Sequence, residues 1–225
     1  MSDAPTIYCT EPLQVYLDDA AANKPAPGGG SVSACAGALG AGLVSMVCNL
    51  TRGREKFADV EAEMSTLVAA SEAARGRLEQ LLQEDTTAYN GVITAYKMPK
   101  ETAEEQAARG QAIQDGLIIA ADVPLEICRV AVEVCRLSKV AAGLGNPQAV
   151  TDAGIGAILG EAAVQGASLN VEINMASIDD VDYVRRVGAE LQAAIDESAR
   201  LRIEATKITL DKLPKRKDGH GRIDH

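Results

Sequence analysis

Residues 31–50 read SVSACAGALGAGLVSMVCNL, and no charged side chain interrupts them. About 20 apolar residues are long enough to cross a membrane, which makes a single membrane span one alternative. This stretch also contains small and polar residues, namely Ser33, Gly37, Gly40, Gly42, Ser45 and Asn49. Small residues let neighbouring helices approach closely. Because no second stretch resembles it, we predict a buried central helix with close neighbours, and no membrane partner.

The composition favours packed helices around this segment. The chain has 225 residues, a net charge of −10, and only 3% aromatic residues, with no Trp. Cores rich in Ala and poor in aromatic and β-branched residues suit helices better than sheets. The length suits one domain. Because phosphate binding needs a basic surface, the acidic balance argues against a nucleic-acid partner.

Histidine and cysteine restrict the possible chemistry. The only histidines are His220 and His225, which excludes His-dependent triads and His-ligated metal sites from the core. We therefore predict no metal and assign acid–base chemistry to Asp, Glu, Lys, Tyr or Cys. The cysteines show no CxxC spacing and are predicted to be reduced core thiols of a cytoplasmic protein: Cys9, Cys35, Cys48, Cys128 and Cys135. Residues 1–5 lack the features of a signal peptide, which agrees with that location.

Helices are predicted on both sides of the central segment. Residues 11–22 form a short amphipathic helix, and KPAPGGGS at 24–31 forms an elbow onto the central helix. A long helix covers about 56–96 and stops at Met98-Pro99.

The second half of the chain is also predicted to be helical. Thr102 and Glu105 form a capping box that opens a helix to about Asp122. Proline suits the first turn of a helix, so Pro124 is predicted to begin a separate helix to about 142. The remaining elements are a turn at 145–147, a small-residue helix at about 149–175, and a last helix, capped by Asp179 or Asp180, to about 209.

The predicted fold is all-α: a helical bundle with a buried small-residue central helix and long antiparallel helices. One domain covers residues 1–210, and 211–225 form a polar tail that is either solvated or a basic docking segment. Because extensive Ala/Gly faces are often completed by a second subunit, we expect a homodimer.

Asp85 is the first candidate for chemistry. It follows Leu78 and Leu81 and precedes Val92 at helical spacing, on or beside the stripe that faces the core. Burial there would raise the carboxyl pKa and suit general acid–base catalysis. The alternative is an Asp at the edge of the stripe, paired with a cation from a neighbouring helix.

The glycines at 28–30, followed by Ser31, are the second candidate. Glycines let a ligand approach the backbone, and N–H groups at a helix start favour anions. A tight interhelix turn is the alternative, and no P-loop signature follows.

Other polar residues lie in apolar or small-residue surroundings. Asn170 and Asn174 are four residues apart and therefore share one helix face. Asp152 lies near the start of the small-residue helix, close in sequence to Asn146. These four either bind a ligand or serve as interhelical hydrogen bonds and an ordinary N-terminal acid. A further pair, Lys97 and Lys100, flanks Met98-Pro99 and either meets an anionic ligand or belongs to a solvated turn.

Six ordered segments between about residues 11 and 205 closely resemble one known family. They are PAPGGGSV at 25–32, LVSMVCNLT at 43–51, KMPK at 97–100, DVPL at 122–125, GN and TD at 145–152, and NVEIN at 170–174. This pattern is similar to the cyclodeaminase/methenyltetrahydrofolate cyclohydrolase family. Pro147 and Thr151 depart mildly from the family pattern.

The resemblance implies an all-helical dimer that acts on tetrahydrofolate derivatives, with no cofactor beyond that substrate. It also implies that Asp85, in an Asp-x-x-Ala-aromatic pattern, is catalytic, with Lys97 as its partner. The expected substrate-binding residues are Gly28, Gly29, Gly30, Ser31, Lys100, Asn146, Asp152, Asn170 and Asn174.

Three functions remain open at this point. A methenyltetrahydrofolate cyclohydrolase is favoured, because residues 1–10 leave no room for a formiminotransferase domain and 45–51 look like the free-standing hydrolases. The alternatives are a formimidoyltetrahydrofolate cyclodeaminase and a non-catalytic folate-binding helical module.

Overall fold

The computed structural model describes residues 6–214, and every regular element within that range is helical. The all-α prediction is confirmed. Short 3₁₀ turns occur at Tyr8–Thr10, Glu55–Val60 and Pro147–Ala149. The α-helices are α1 (Leu13–Ala21), α2 (Gly29–Asn49), α3 (Glu61–Tyr96), α4 (Ala103–Leu144), α5 (Val150–Met175) and α6 (Val181–Lys212).

Helix α2 runs antiparallel to both α3 and α5. The Ser45 and Ser71 hydroxyls hydrogen-bond at 2.7 Å between α2 and α3. On the α5 side, glycines bring the backbones together: a Cβ on Gly40 would lie 2.9 Å from the Gly156 carbonyl oxygen. The small residues of this segment therefore set the distance between the helices.

Much of α2 is buried, but one of its faces is not. Among the described residues it is the one helix long and apolar enough to cross a membrane, with a mean hydropathy of 1.7. Over half of that window (56%) is buried inside the protein, and a core helix of a soluble protein passes the same test. Val32, Leu39 and Met46 nevertheless remain exposed.

The predicted helix boundary at Pro124 is wrong. Helix α4 runs through this proline without a break from Ala103 to Leu144. Proline lacks the N–H that would bond the carbonyl four residues earlier, which here belongs to Ala120. Asn174 of α5 donates to that carbonyl at 2.9 Å instead. A neighbouring helix thus satisfies the freed group.

Other helix ends follow local sequence signals. The capping box of Thr102 and Glu105 forms as predicted, and Asp180, rather than Asp179, caps α6. The long helix begins at Glu61, after a 3₁₀ turn, and not at 56. Helix α6 runs parallel to α4, linked by ion pairs such as Arg136 to Glu197 at 2.8 Å.

The structure also bears on the predictions for the cysteines and the C-terminal tail. All five cysteines are free, and Cys48, Cys128 and Cys135 are buried. Residues 215–225, which hold most of the predicted tail and both histidines, lie outside the described residues.

Candidate active site

Asp85 of α3 meets the N-terminus of α2. The residue before α2 is Gly28, which has no side chain to cap the helix. The Ser31 backbone N–H donates instead to Asp85 Oδ2 at 2.9 Å. A Cβ on Gly30 would lie 2.6 Å from Asp85 Cγ, so only glycine permits this approach. A carboxylate from a distant helix therefore acts as the N-cap of α2.

The surroundings of Asp85 act on its charge in opposite directions. Burial raises the pKa of the Asp85 carboxyl above its ordinary value, and the hydrogen bond from the Ser31 N–H partly opposes this. No ion pair of Asp85 exists within residues 6–214, so the alternative of a structural pair with a cation has no support. The hydrogen bond to the Ser31 N–H is therefore the polar contact that holds this half-buried carboxyl in place.

A buried tyrosine also contacts the first turn of α2. The Tyr16 hydroxyl of α1 hydrogen-bonds the Ser31 Oγ at 3.0 Å. Burial raises the pKa of Tyr16 to about 12, so this hydroxyl stays neutral. Tyr16 is not predicted as a site residue from the sequence, because its spacing shows only that it faces the core.

A pocket of about 250 Å³ opens beside the carboxylate. Four structural elements contribute to it: the glycine loop, α3, α4 and α5. Its lining residues are Pro25, Ala26, Gly28, Gly29, Asp85, Thr86, Ala88, Tyr89, Val92, Ala120, Asn170 and Asn174. The structure thus brings together the predicted glycine loop, Asp85 and both asparagines.

Hydrogen bonds to backbone carbonyls fix the orientation of both asparagine amides at the pocket wall. Asn170 Nδ2 donates to the Gly166 carbonyl at 3.0 Å. Asn174 Nδ2 donates to the carbonyls of Ala120 (2.9 Å) and Asn170 (2.7 Å). Because these partners are all carbonyl oxygens, the amide nitrogen must face them. Ala120 is not predicted as a site residue. Its position four residues before Pro124 is the signal that could have identified it, because a proline inside a helix frees that carbonyl.

Lys97 and Lys100 are not brought to this pocket. Lys97 follows the last turn of α3 and is exposed, as is Lys100. Twelve residues along one helix separate Lys97 from Asp85 by about 18 Å. The prediction that Lys97 works beside Asp85 is not supported within one chain.

Asn146 and Asp152 lie at the far end of the bundle. Asn146 Nδ2 donates to the Leu50 carbonyl at 3.3 Å, and its backbone N–H donates to Thr51 Oγ1 at 2.9 Å. It therefore fixes the α4–α5 turn to the C-terminal end of α2, about 30 Å from Asp85 by helix length. Asp152 lies in the first turn of α5 at the same end. Neither residue lines the pocket beside Asp85.

No group of three or more His, Cys, Asp or Glu side chains is placed to hold a metal ion in the described part of the chain. What the structure defines is an all-helical protein with a small pocket beside one partly buried carboxylate. Comparisons with known proteins give that class a family.

Residues 12–193 match the family model for formiminotransferase-cyclodeaminase. The methenyltetrahydrofolate cyclohydrolase of Methylorubrum extorquens is 40% identical over 191 residues, covering 85% of this chain and 92% of that protein. The formimidoyltransferase-cyclodeaminase of Sus scrofa is 31% identical over 92% of this chain, which spans only 37% of that protein's length. The crystal structure of formiminotetrahydrofolate cyclodeaminase from Thermotoga maritima superposes with a TM-score of 0.81, at 31% identity and over 90% and 97% of the two chains.

The chain belongs to the formiminotransferase-cyclodeaminase family. The resemblance seen in the sequence is confirmed, and the relatives above are named as enzymes.

Proposed function

We propose that this chain is a methenyltetrahydrofolate cyclohydrolase, which hydrolyses 5,10-methenyltetrahydrofolate to 10-formyltetrahydrofolate. The relative named for that activity is similar over nearly its whole length, at 40% identity. The structural observation that carries the proposal is the Asp85 carboxylate, held 2.9 Å from the Ser31 N–H at the wall of the pocket.

The reaction requires few groups from the protein. Water attacks the electrophilic amidinium carbon of the substrate, and ionised Asp85 accepts a proton from that water. The carboxyl then returns the proton to ring nitrogen N5 as the carbon–N5 bond breaks. The remaining hydroxyl proton leaves as the formyl C=O forms. Burial raises the pKa of Asp85, which makes the carboxylate a stronger base toward the attacking water than an ordinary aspartate.

Binding is assigned to the other lining residues. A pocket of about 250 Å³ is smaller than sites that enclose drug-sized ligands, so we place the bicyclic ring inside and the rest of the folate outside. Asn170, Asn174 and the glycine loop then contact the ring. Lys97 and Lys100 lie beyond the C-terminal end of α3 and do not line the pocket, and we assign them no step.

The cyclodeaminase reaction is the second candidate, because the similar Thermotoga maritima structure carries that name. There the same carboxyl would protonate the departing amine as the ring closes and ammonia leaves. The greater identity to a cyclohydrolase favours the first candidate.

The remaining parts of the proposal concern the whole protein. We propose one domain over residues 1–210, a homodimer, no cofactor beyond the tetrahydrofolate substrate, and no nucleic-acid or membrane partner. The exposed apolar residues of α2 and α5 support the dimer. The five free cysteines support a reducing, cytoplasmic location.

Two assays on the purified protein test the proposed function. One follows the loss of methenyltetrahydrofolate absorbance above the rate in buffer, and the other follows its formation from the formimino compound with ammonia release. Fast loss without ammonia-linked activity is expected. The reverse pattern would select the cyclodeaminase, and folate binding without either activity would select a non-catalytic module.

A further inference from the structure

Pro124 occupies an unusual position in the interior of a 42-residue helix. A proline there removes one helical hydrogen bond and typically costs about 3 kcal/mol. Helix α4 nevertheless continues past it, and Pro124 itself is buried. The proposed proton chemistry makes no use of this residue, which does not line the pocket.

The hydrogen bond that Pro124 removes is replaced by one from the pocket wall. The Ala120 carbonyl, which the N–H of residue 124 would otherwise bond, accepts from Asn174 Nδ2 at 2.9 Å. The second Asn174 amide proton goes to the Asn170 carbonyl at 2.7 Å. Ala120, Asn170 and Asn174 all line the pocket beside Asp85.

This arrangement determines which end of the Asn174 amide meets a ligand. Both N–H donors are used on carbonyl oxygens, so Asn174 Oδ1 is directed away from them. Within residues 6–214 no group donates to Oδ1. A pocket wall with a fixed acceptor selects a ligand edge that carries N–H donors, and it disfavours one that carries acceptors.

We propose that Pro124 is a positioning residue: by freeing the Ala120 carbonyl it locks the Asn174 amide, so that Oδ1 accepts from an N–H edge of the bound ring. The choice of ligand rests on the proposed function, since a reduced pterin carries ring N–H and amino donors. The coupling between Pro124 and Asn174 rests on the structure alone.

The Pro124→Ala variant separates positioning from stability. It restores an N–H at residue 124, which returns the Ala120 carbonyl to the helix and makes Asn174 compete for it. The melting temperature should stay the same or rise. The Kd for tetrahydrofolate, which has no one-carbon unit to react, and the KM should each rise about tenfold, as expected for one lost hydrogen bond. The effect on kcat should be smaller. Val123→Ala, a neighbour on α4 that does not line the pocket, is the matched control and should leave the Kd within twofold.

A double-mutant cycle with Asn174→Leu tests whether Pro124 acts through Asn174. In the Asn174→Leu background, Pro124→Ala should cost no further affinity. Additive losses, or an unchanged Kd in Pro124→Ala, would overturn the proposal.

A measurement without ligand keeps this result separate from the proposed function. In NMR spectra, the Asn174 side-chain amide protons should exchange slowly in the wild type and faster in Pro124→Ala. Equal exchange in both proteins would overturn the coupling. If the wild type bound no folate while this difference was present, the proposed function would fail and the Pro124–Asn174 coupling would stand.

Discussion

Two opposing effects act on the ionisation of Asp85. Its carboxylate caps α2 through the Ser31 N–H, which favours the ionised form, while burial favours the protonated form. Because burial is the larger effect, the pKa is raised. A raised pKa with the cap retained is consistent with the proposed role of Asp85 in proton transfer.

Replacing Asp85 by asparagine separates activity from stability. Asparagine still accepts from the Ser31 N–H through its amide oxygen but cannot take a proton, so turnover of methenyltetrahydrofolate should fall by about 100-fold or more. A raised pKa means that Asp85 contributes its stability at low pH and loses it as the pH rises through that pKa. At pH 7 the Asp85→Asn variant should therefore melt no lower than the wild type.

The pH dependence supplies the control for this variant. Wild-type kcat/KM should fall on the acid side, with a midpoint above the ordinary carboxyl pKa, because the ionised carboxylate is the base. The residual activity of Asp85→Asn should lack that acid limb. Turnover of the variant within a few-fold of the wild type would contradict the catalytic role.

Gly30 tests the geometry of the same contact. An alanine Cβ there would lie 2.6 Å from Asp85 Cγ, so the carboxyl must rotate away from the Ser31 N–H. A displacement of about 1 Å can cost about 100-fold in rate, which is the loss of kcat/KM that we expect for Gly30→Ala. The matched control is Gly76→Ala in α3, where nothing lies within 4 Å of the added Cβ, and its activity should be unchanged. Equal activities of the two variants would contradict the assigned contact.

At the scale of elements, the sequence predicts most helices because their signals are local. Caps such as the Thr102–Glu105 box and the periodic apolar positions of α3 depend on residues within one or two turns. The prediction of a helix start at Pro124 is wrong, because the group that satisfies the Ala120 carbonyl lies 54 residues away on α5. The sequence around Pro124 cannot predict such a partner, because it belongs to another helix.

The α2–α5 contact provides the stability prediction at this scale. A Cβ on Gly40 would lie 2.9 Å from the Gly156 carbonyl oxygen, which is backbone and cannot easily move. Gly40→Ala should therefore lower the free energy of unfolding by about 1–3 kcal/mol, despite the better helix propensity of alanine. Chemical denaturation measures this change. Gly110→Ala in α4, where the added Cβ meets nothing within 4 Å, is the control and should not destabilise the protein.

At the scale of the molecule, the residues predicted to form one site lie at two opposite ends of the helical bundle. Antiparallel packing of α3 and α5 against α2 brings Asp85, Asn170 and Asn174 to the glycine loop. The same packing sends Asn146 to the opposite end of α2. Spacing along the chain could predict Asp85, because its helix face is a local property. It could not predict which motif reaches which end of the bundle, since that depends on the direction of each helix.

The exposed sides of α2 and α5 lead to the prediction about assembly. Leu39 is 61% exposed, and on the neighbouring antiparallel helix Leu169 and Ile173 are each 71% exposed. Exposed apolar side chains on two neighbouring helices can be covered by a second copy of the chain, which presents the same side chains. We expect light scattering to give twice the chain mass of 23.5 kDa.

Leu39→Asp should shift the protein toward the monomer, because it would bury an unpaired charge. Val140→Asp on α4, also at an exposed apolar residue but on another helix, should leave the dimer intact. A wild-type monomer, or equal dissociation of both variants, would contradict this interface.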